Sequence, residues 1–231
     1  MYRPLLCFAL FAVSGVGFAA ERSFPVGNFD SLGVSTSADV IVTTGQPVSV
    51  VASGPEASLD RLLVIVEDGS LKIRTKPGTK WGWGGDKVRI AVSVPRLGQV
   101  GISGSGNVSV DRVVAPAFTA GVSGSGDLRV AALMVDSANF SVSGSGFVEA
   151  AGTSPIVKAS VAGSGDVKIG KLLARTLNAS VAGSGGVDAH ATDTAAISVA
   201  GSGDVRVSGG AKCTVSKSGS GSVNCGEFSV R

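Results

Sequence analysis

Asp127, Asp166 and Asp204 each follow a Gly-Ser-Gly triplet directly, at every second triplet along the chain. Glycine-aspartate repeats can hold calcium through turn carbonyls and carboxylates, and two carboxylates flanking one sugar can cleave a glycosidic bond. The calcium-binding nonapeptide sets its acid two residues beyond the last glycine, whereas these aspartates follow at once. Four of the seven triplets carry no acid there at all. For hydrolysis, aspartates two coils apart would lie about 9–10 Å from one another, within the inverting range, but nothing evident in the sequence would keep one of them protonated. The simpler expectation is that each aspartate hydrogen-bonds its own corner backbone. A calcium-binding β-roll and a polysaccharide lyase or hydrolase stay open as alternatives.

Other reactive side chains are few. His190 is the only histidine, so a serine nucleophile has one possible base, and a two-cysteine metal site lacks partners because His190 stands at an outward offset two coils earlier. We therefore expect no catalytic residues, no metal and no cofactor. Trp81 and Trp83, the only tryptophans, stand two apart in "TKPGTKWGWGGDK" with Lys76, Lys80 and Lys87 around them. Indole faces beside ammonium groups suit stacking on sugars or holding an acidic polymer, which makes Trp81, Trp83 and Lys80 candidate ligand-binding residues. The other reading folds the tryptophans back as a cap. Cys213 and Cys225 stand six residues before and after the first glycine of the last triplet. Both offsets point inward from the two arms of one bent coil, which predicts a disulfide closing it.

These residues need a scaffold, and the triplets supply it. GSG begins at Gly104, Gly124, Gly144, Gly163, Gly183, Gly201 and Gly219, with spacings of 20, 20, 19, 20, 18 and 18 residues. Counting the first glycine as zero, position +4 is always apolar, from Val108 and Leu128 to Val223; position −2 is apolar at all but Lys217. Positions −4 and +6 are apolar too, or cysteine in one case. All are even offsets, so the chain is extended with one face buried and both triplet glycines on that face, forming a corner too cramped for side chains. Outward position +5 alternates in charge through Arg129, Glu149, Lys168, Asp188 and Arg206, as stacked coils in register would require. The fold class predicted is all-β: a right-handed parallel β-helix or β-solenoid of about seven coils of 18–20 residues, with a less regular β-rich N-terminal half.

That half, 20–99, is expected to cap the stack ahead of the repeats at 100–231. "VSTSADVIV" mimics a degenerate first coil near 32–42, with Leu32, Val34, Val40 and Val42 inward, and "EDGS" reads as a hairpin turn. Residues 1–19 have the order of a secretory signal peptide, a basic start and then an apolar run, with the cut after Ala19. The mature chain would then hold two cysteines in an oxidising compartment, with no transmembrane segment. A net charge of +3 spread along the chain gives no basic stripe for nucleic acid. Outward Ser105, Ser125, Ser145, Ser164, Ser184, Ser202 and Ser220 form a flat strip able to dock on another surface or on a second copy.

The apolar leader, "DVIVTTGQPVSVVASG", "DGSLKIRT", "SVPRLGQVGISGSGNVSV" and the SGSGDV-like repeats together resemble the head-GIN domain family of exported bacterial proteins, labelled autotransporter adhesins. The resemblance covers about 22–231 and implies a β-helical exported protein without established catalysis. The expected function is an exported binding or structural module of a Gram-negative envelope, in the periplasm or at the surface. Its expected partners are envelope or extracellular polysaccharide, or another protein surface.

Overall fold

The computed structural model describes residues 20–78 and 88–226, and the backbone of 228–230. The chain is a β-solenoid of about six turns, close to the seven expected. Its strands are β1 (Ala20–Ser23), β2 (Ser31–Ser35), β3 (Asp39–Thr44), β4 (Ser49–Gly54), β5 (Leu62–Glu67), β6 (Ser70–Thr75) and β7 (Arg89–Val94), then β8 (Gln99–Gly104), β9 (Val108–Gly124), β10 (Asp127–Gly144), β11 (Phe147–Thr153) and β12 (Ile156–Gly163). They continue through β13 (Asp166–Gly183), β14 (Gly186–Gly201), β15 (Asp204–Ser208), β16 (Lys212–Ser218), β17 (Val223–Cys225) and β18 (Phe228–Val230).

Each coil has three sides. Where β10 lies parallel on β9, Val108–Val110, Arg112–Ala115 and Ala117–Gly124 pair in succession with the coil above, broken at the two intervening corners. The third corner is the GSG triplet. Inward columns form the core: the +4 residues Val108, Leu128, Val148, Val167, Val187, Val205 and Val223 are all buried. Large and small side chains alternate across coils. Phe118 is in register with Ala138 and Phe140 with Ala120, so the two rings meet edge to face at 6.4 Å instead of colliding.

The two glycines of the triplet do different work, which corrects the expectation that both face inward. The first is half-buried or exposed and holds φ between 118° and 128°, a region side chains rarely adopt. That conformation lines its carbonyl up with the stack. Gly124 O accepts the N–H groups of both Ser145 and Gly146 from the next coil, at 2.9 and 3.0 Å, and the pattern repeats at Gly104, Gly144 and Gly163. Only the second glycine is buried. A Cβ on Gly126 or Gly146 would come closer than 3.0 Å to the carbonyl oxygen of the glycine below it.

Below the repeats, β2 and β3 continue the stack. Leu32 and Val34 are in register with Val100 and Ile102, and Val40 and Val42 with Val108 and Val110. One level lower, β6 pairs with β2 and β7 with β3, both parallel. The winding then stops because the next strands reverse: β5 runs antiparallel to β6, β4 to β7, and β1 to β4. A short helix, α1 (Glu56–Leu59), joins β4 to β5 and buries Leu59 in the core. At the far end β18 turns back antiparallel on β17.

Candidate functional site

Function has to be sought on the outer faces, because the interior is packed with aliphatic side chains. On the third side, all seven triplet serines are exposed. Sequence reasoning reached that strip and the Ser or Ala at position −1 beside it, but a further column lies beyond: Ser141, Ser160, Ser180, Ser198 and Ser216 stand in register across five coils. Position −3 was an outward offset and could have been read the same way. The result is a flat face of mostly small side chains, interrupted on β12 by exposed Ile156 and Lys158. Seven strands high and about six residues wide, it covers on the order of 600 Å².

The first side carries the aspartates, and each acts on the coil above instead of on its own corner. Asp127 Oδ1 accepts the N–H of Phe147 at 3.3 Å, Asp166 Oδ1 that of Gly186 at 3.0 Å, and Asp204 Oδ1 that of Ser222 at 2.8 Å. Asp39 Oδ1 instead accepts from the side-chain amide of Asn107, its Nδ2 at 2.9 Å. Above Asp127, Asp166 and Asp204 the donor is a backbone N–H that any residue but proline offers, so the two-coil spacing is set by charge: a carboxylate directly above another would meet like charge across the stack. The Ser222 hydroxyl, then its N–H, hold Asp204 below the usual carboxylate range, with a further pull from Arg206. A carboxylate held ionised in this way is a poor general acid.

The +5 column is in register throughout, with Arg129, Glu149, Lys168, Asp188 and Arg206 stacked in turn. Of these neighbours only Arg129 and Glu149 close to an ion pair among the described residues, at 3.7 Å. Arg129 also reaches Asp127, at 3.8 Å, and Lys168 reaches Asp166, at 3.6 Å. Both cations lie over the Phe147 ring, 4.5 and 4.6 Å from its centre, so the aromatic residue takes up charge that the ladder was expected to use alone.

His190 does meet a serine: its Nδ1 is 3.0 Å from Ser208 Oγ. That hydroxyl also lies 3.3 Å from the Ala189 carbonyl, and when it donates there the imidazole is the donor and the serine has no base. On the second side, Val114, Met134 and Leu173 are each half or more exposed and form one column with Thr153. Sequence counting missed it because the inward parity flips at the corner before this side, where Val110 and Val113 are both buried, so the even offset +10 faces outward. A shallow depression of about 570 Å³ lies at the lower end, bordered by Phe29, Arg96, Leu97 and Pro116.

Cys213 and Cys225 form the expected disulfide, with Cα atoms 6.5 Å apart across the last corner. Lys217, the exception to the inward apolar rule, lies in this end coil and donates to Gly221 O at 2.8 Å. Trp81, Trp83 and Lys80, like residues 1–19, lie outside the described residues. Among the described residues no group of three or more His, Cys, Asp or Glu side chains could hold a metal, and no helix is long and apolar enough to cross a membrane.

Known structures share this architecture. The chain is similar to a "putative adhesin" from Bacteroides fragilis, with a TM-score of 0.83 and 23% identity over 90% of this chain and 97% of that one. It is similar also to a "putative lipid binding protein" from Parabacteroides distasonis, with a TM-score of 0.70 and 24% identity over 91% and 97% of the two chains. A second P. distasonis protein, a "putative adhesin", matches with a TM-score of 0.66 and 20% identity over 91% and 98%. At these identities the likeness carries the fold alone. No curated protein matches the chain. A family model described as "Putative auto-transporter adhesin, head GIN domain" matches residues 28–211, most of the chain and nearly all of the solenoid. The protein belongs to the head GIN domain family.

Proposed function

We propose that the protein is an exported, non-catalytic binding module of the bacterial cell envelope that uses the third side of the solenoid as its contact surface. The supporting observation is the registered serine face. One column of serines runs through all seven triplets and a second through five coils on the same side, and such side chains lose little rotamer freedom when covered. Its area, on the order of 600 Å², is below the roughly 800 Å² per partner of a standard interface, which favours multivalent contact with a repeating polymer over one tight site. Trp81, Trp83 and Lys80 are the second element of the proposal, as stacking and anion-holding groups for polysaccharide.

The test is binding of the purified protein to envelope and capsule polysaccharides, with Ser160→Arg/Ser180→Arg and Trp81→Ala/Trp83→Ala variants. Retention that the variants weaken supports the reading. Release of reducing or unsaturated ends replaces it with a carbohydrate-active enzyme. A lipid-surface reading rests on the exposed Val114, Met134 and Leu173 column and on the similar structure described as lipid binding. Co-sedimentation with vesicles, lost in Met134→Ser/Leu173→Ser, would favour it.

A further inference from the structure

The solenoid has open sheet edges, and the chain protects them unequally. β1 is four residues long and carries Glu21 and Arg22; β16 carries Lys212 and, on its inward face, Lys217. Charged, short edges with inward-pointing lysines resist pairing with another strand. β5 has no such device. Its sequence LLVIVE is apolar for five residues, Leu63 to Val66 are only half-buried, and among the described residues β6 is its one partner.

The hairpin geometry shows what that edge offers. Asp68 and Gly69, with φ of 51° and 72°, make a two-residue turn closed by the Glu67–Ser70 pair. In such a hairpin the closing pair is hydrogen-bonded, so Glu67, Ile65 and Leu63 turn their backbone groups toward β6. Arg61 follows the same alternation, its carbonyl accepting the Lys76 N–H at 2.8 Å. The N–H and C=O groups of Leu62, Val64 and Val66 therefore point away from the sheet.

We infer that this edge is a homodimer interface in which β5 pairs antiparallel with β5 of a second copy. A two-fold axis normal to the sheet keeps inward residues opposite inward residues, which limits the register. Centring it on Val64 sets Val64 opposite Val64, Leu62 opposite Val66 and Leu63 opposite Ile65. All three edge-facing residues then lie in hydrogen-bonded pairs. The same register sets Arg61 of each copy opposite Glu67 of the other, a charge match made twice by symmetry. Glu67 already receives Lys72 on Oε2, and its other oxygen is free to accept from the arginine. Centring on Ile65 instead would oppose Leu63 to Glu67 and Leu62 to Asp68, losing both matches. A second copy is thus the occupant that this edge itself specifies.

Sedimentation equilibrium of the purified protein tests the inference. Wild type is expected to be a closed dimer. Val64→Pro removes an N–H that β6 does not use and is expected to give monomer. Arg61→Glu is expected to weaken the dimer about tenfold, and Arg61→Glu/Glu67→Arg to restore it. If Val64→Pro fails to fold by circular dichroism, the charge reversal and its rescue decide. Wild type that stays monomeric into the high micromolar range overturns the inference. So does open-ended assembly, or a dimer indifferent to Arg61→Glu.

Discussion

Gly185→Ala puts one methyl group where the stack has no room. The new carbon would approach the Gly165 carbonyl closer than 3.0 Å and Val161 Cγ1 to 2.8 Å, and backbone cannot rotate out of the way as a side chain can. Forcing a methylene into a packed site costs about 1–3 kcal/mol. The shift also stretches the bonds from Ser184 N and Gly185 N to Gly163 O, now 2.9 and 3.0 Å, at about 0.5–1.5 kcal/mol each. A loss of about 4 kcal/mol is a large share of the ~5–15 kcal/mol that holds most domains folded, and for a chain of this size it lowers Tm by about 10 °C. Thermal melting followed by circular dichroism reads the change. Two controls separate the causes. Ser184→Ala, next door and exposed, should fall within about 0.5 kcal/mol of wild type. Gly210→Ala, at φ 79° with open space around it, isolates the left-handed backbone cost of about 1–2 kcal/mol that the first glycine of a triplet carries and Gly185 does not. A Gly185→Ala protein that melts with wild type would refute the steric account of the triplet.

Three further outcomes follow. The folded-state pKa of Asp204 is lowered, so its contribution to stability is full above the ordinary carboxylate pKa and is lost as pH falls through the lowered value. Asp204→Asn keeps an acceptor for Ser222 N–H without the charge, and its Tm should fall less steeply below about pH 4 than that of wild type; parallel acid profiles would count against the assignment. Reducing the Cys213–Cys225 bond, which closes a separation of 12 residues, should cost about 2–3 kcal/mol, read as a lower urea midpoint that Cys213→Ser/Cys225→Ser reproduces without reductant. Because Asp127, Asp166 and Asp204 are engaged by backbone N–H groups, dialysis against a chelator should leave the melting curve unchanged, and a drop in Tm would restore the calcium alternative.

The fold was legible because an inward residue in a stacked strand must be apolar, and Val108, Leu128 and Val148 recur at a fixed distance from a fixed corner. The disulfide was legible for the same reason, through two inward offsets on one coil. The separate roles of the two glycines were not, since φ leaves no trace in residue type when both positions are glycine. The aspartates' partners were also hidden. A carboxylate beside a corner can bond to its own coil or to the next, and only the stacking distance decides. The second side escaped offset counting because the inward parity changes at the corner before it, where Val110 and Val113, like Val130 and Leu133, are both buried three residues apart. The exposed column of Val114, Met134 and Leu173 therefore stands at a constant +10 from the triplets, an even offset that reads as inward on the first side but faces outward here.

Contact with extracellular polysaccharide, as against a partner within the periplasm, requires the serine face to be presented outside the cell. Ser164→Cys, at an exposed corner, can be reacted with a membrane-impermeant maleimide on intact cells, with the wild-type chain as control. Labelling without permeabilisation is the result predicted for a surface binding module. Labelling that appears only after the outer membrane is opened would contradict it.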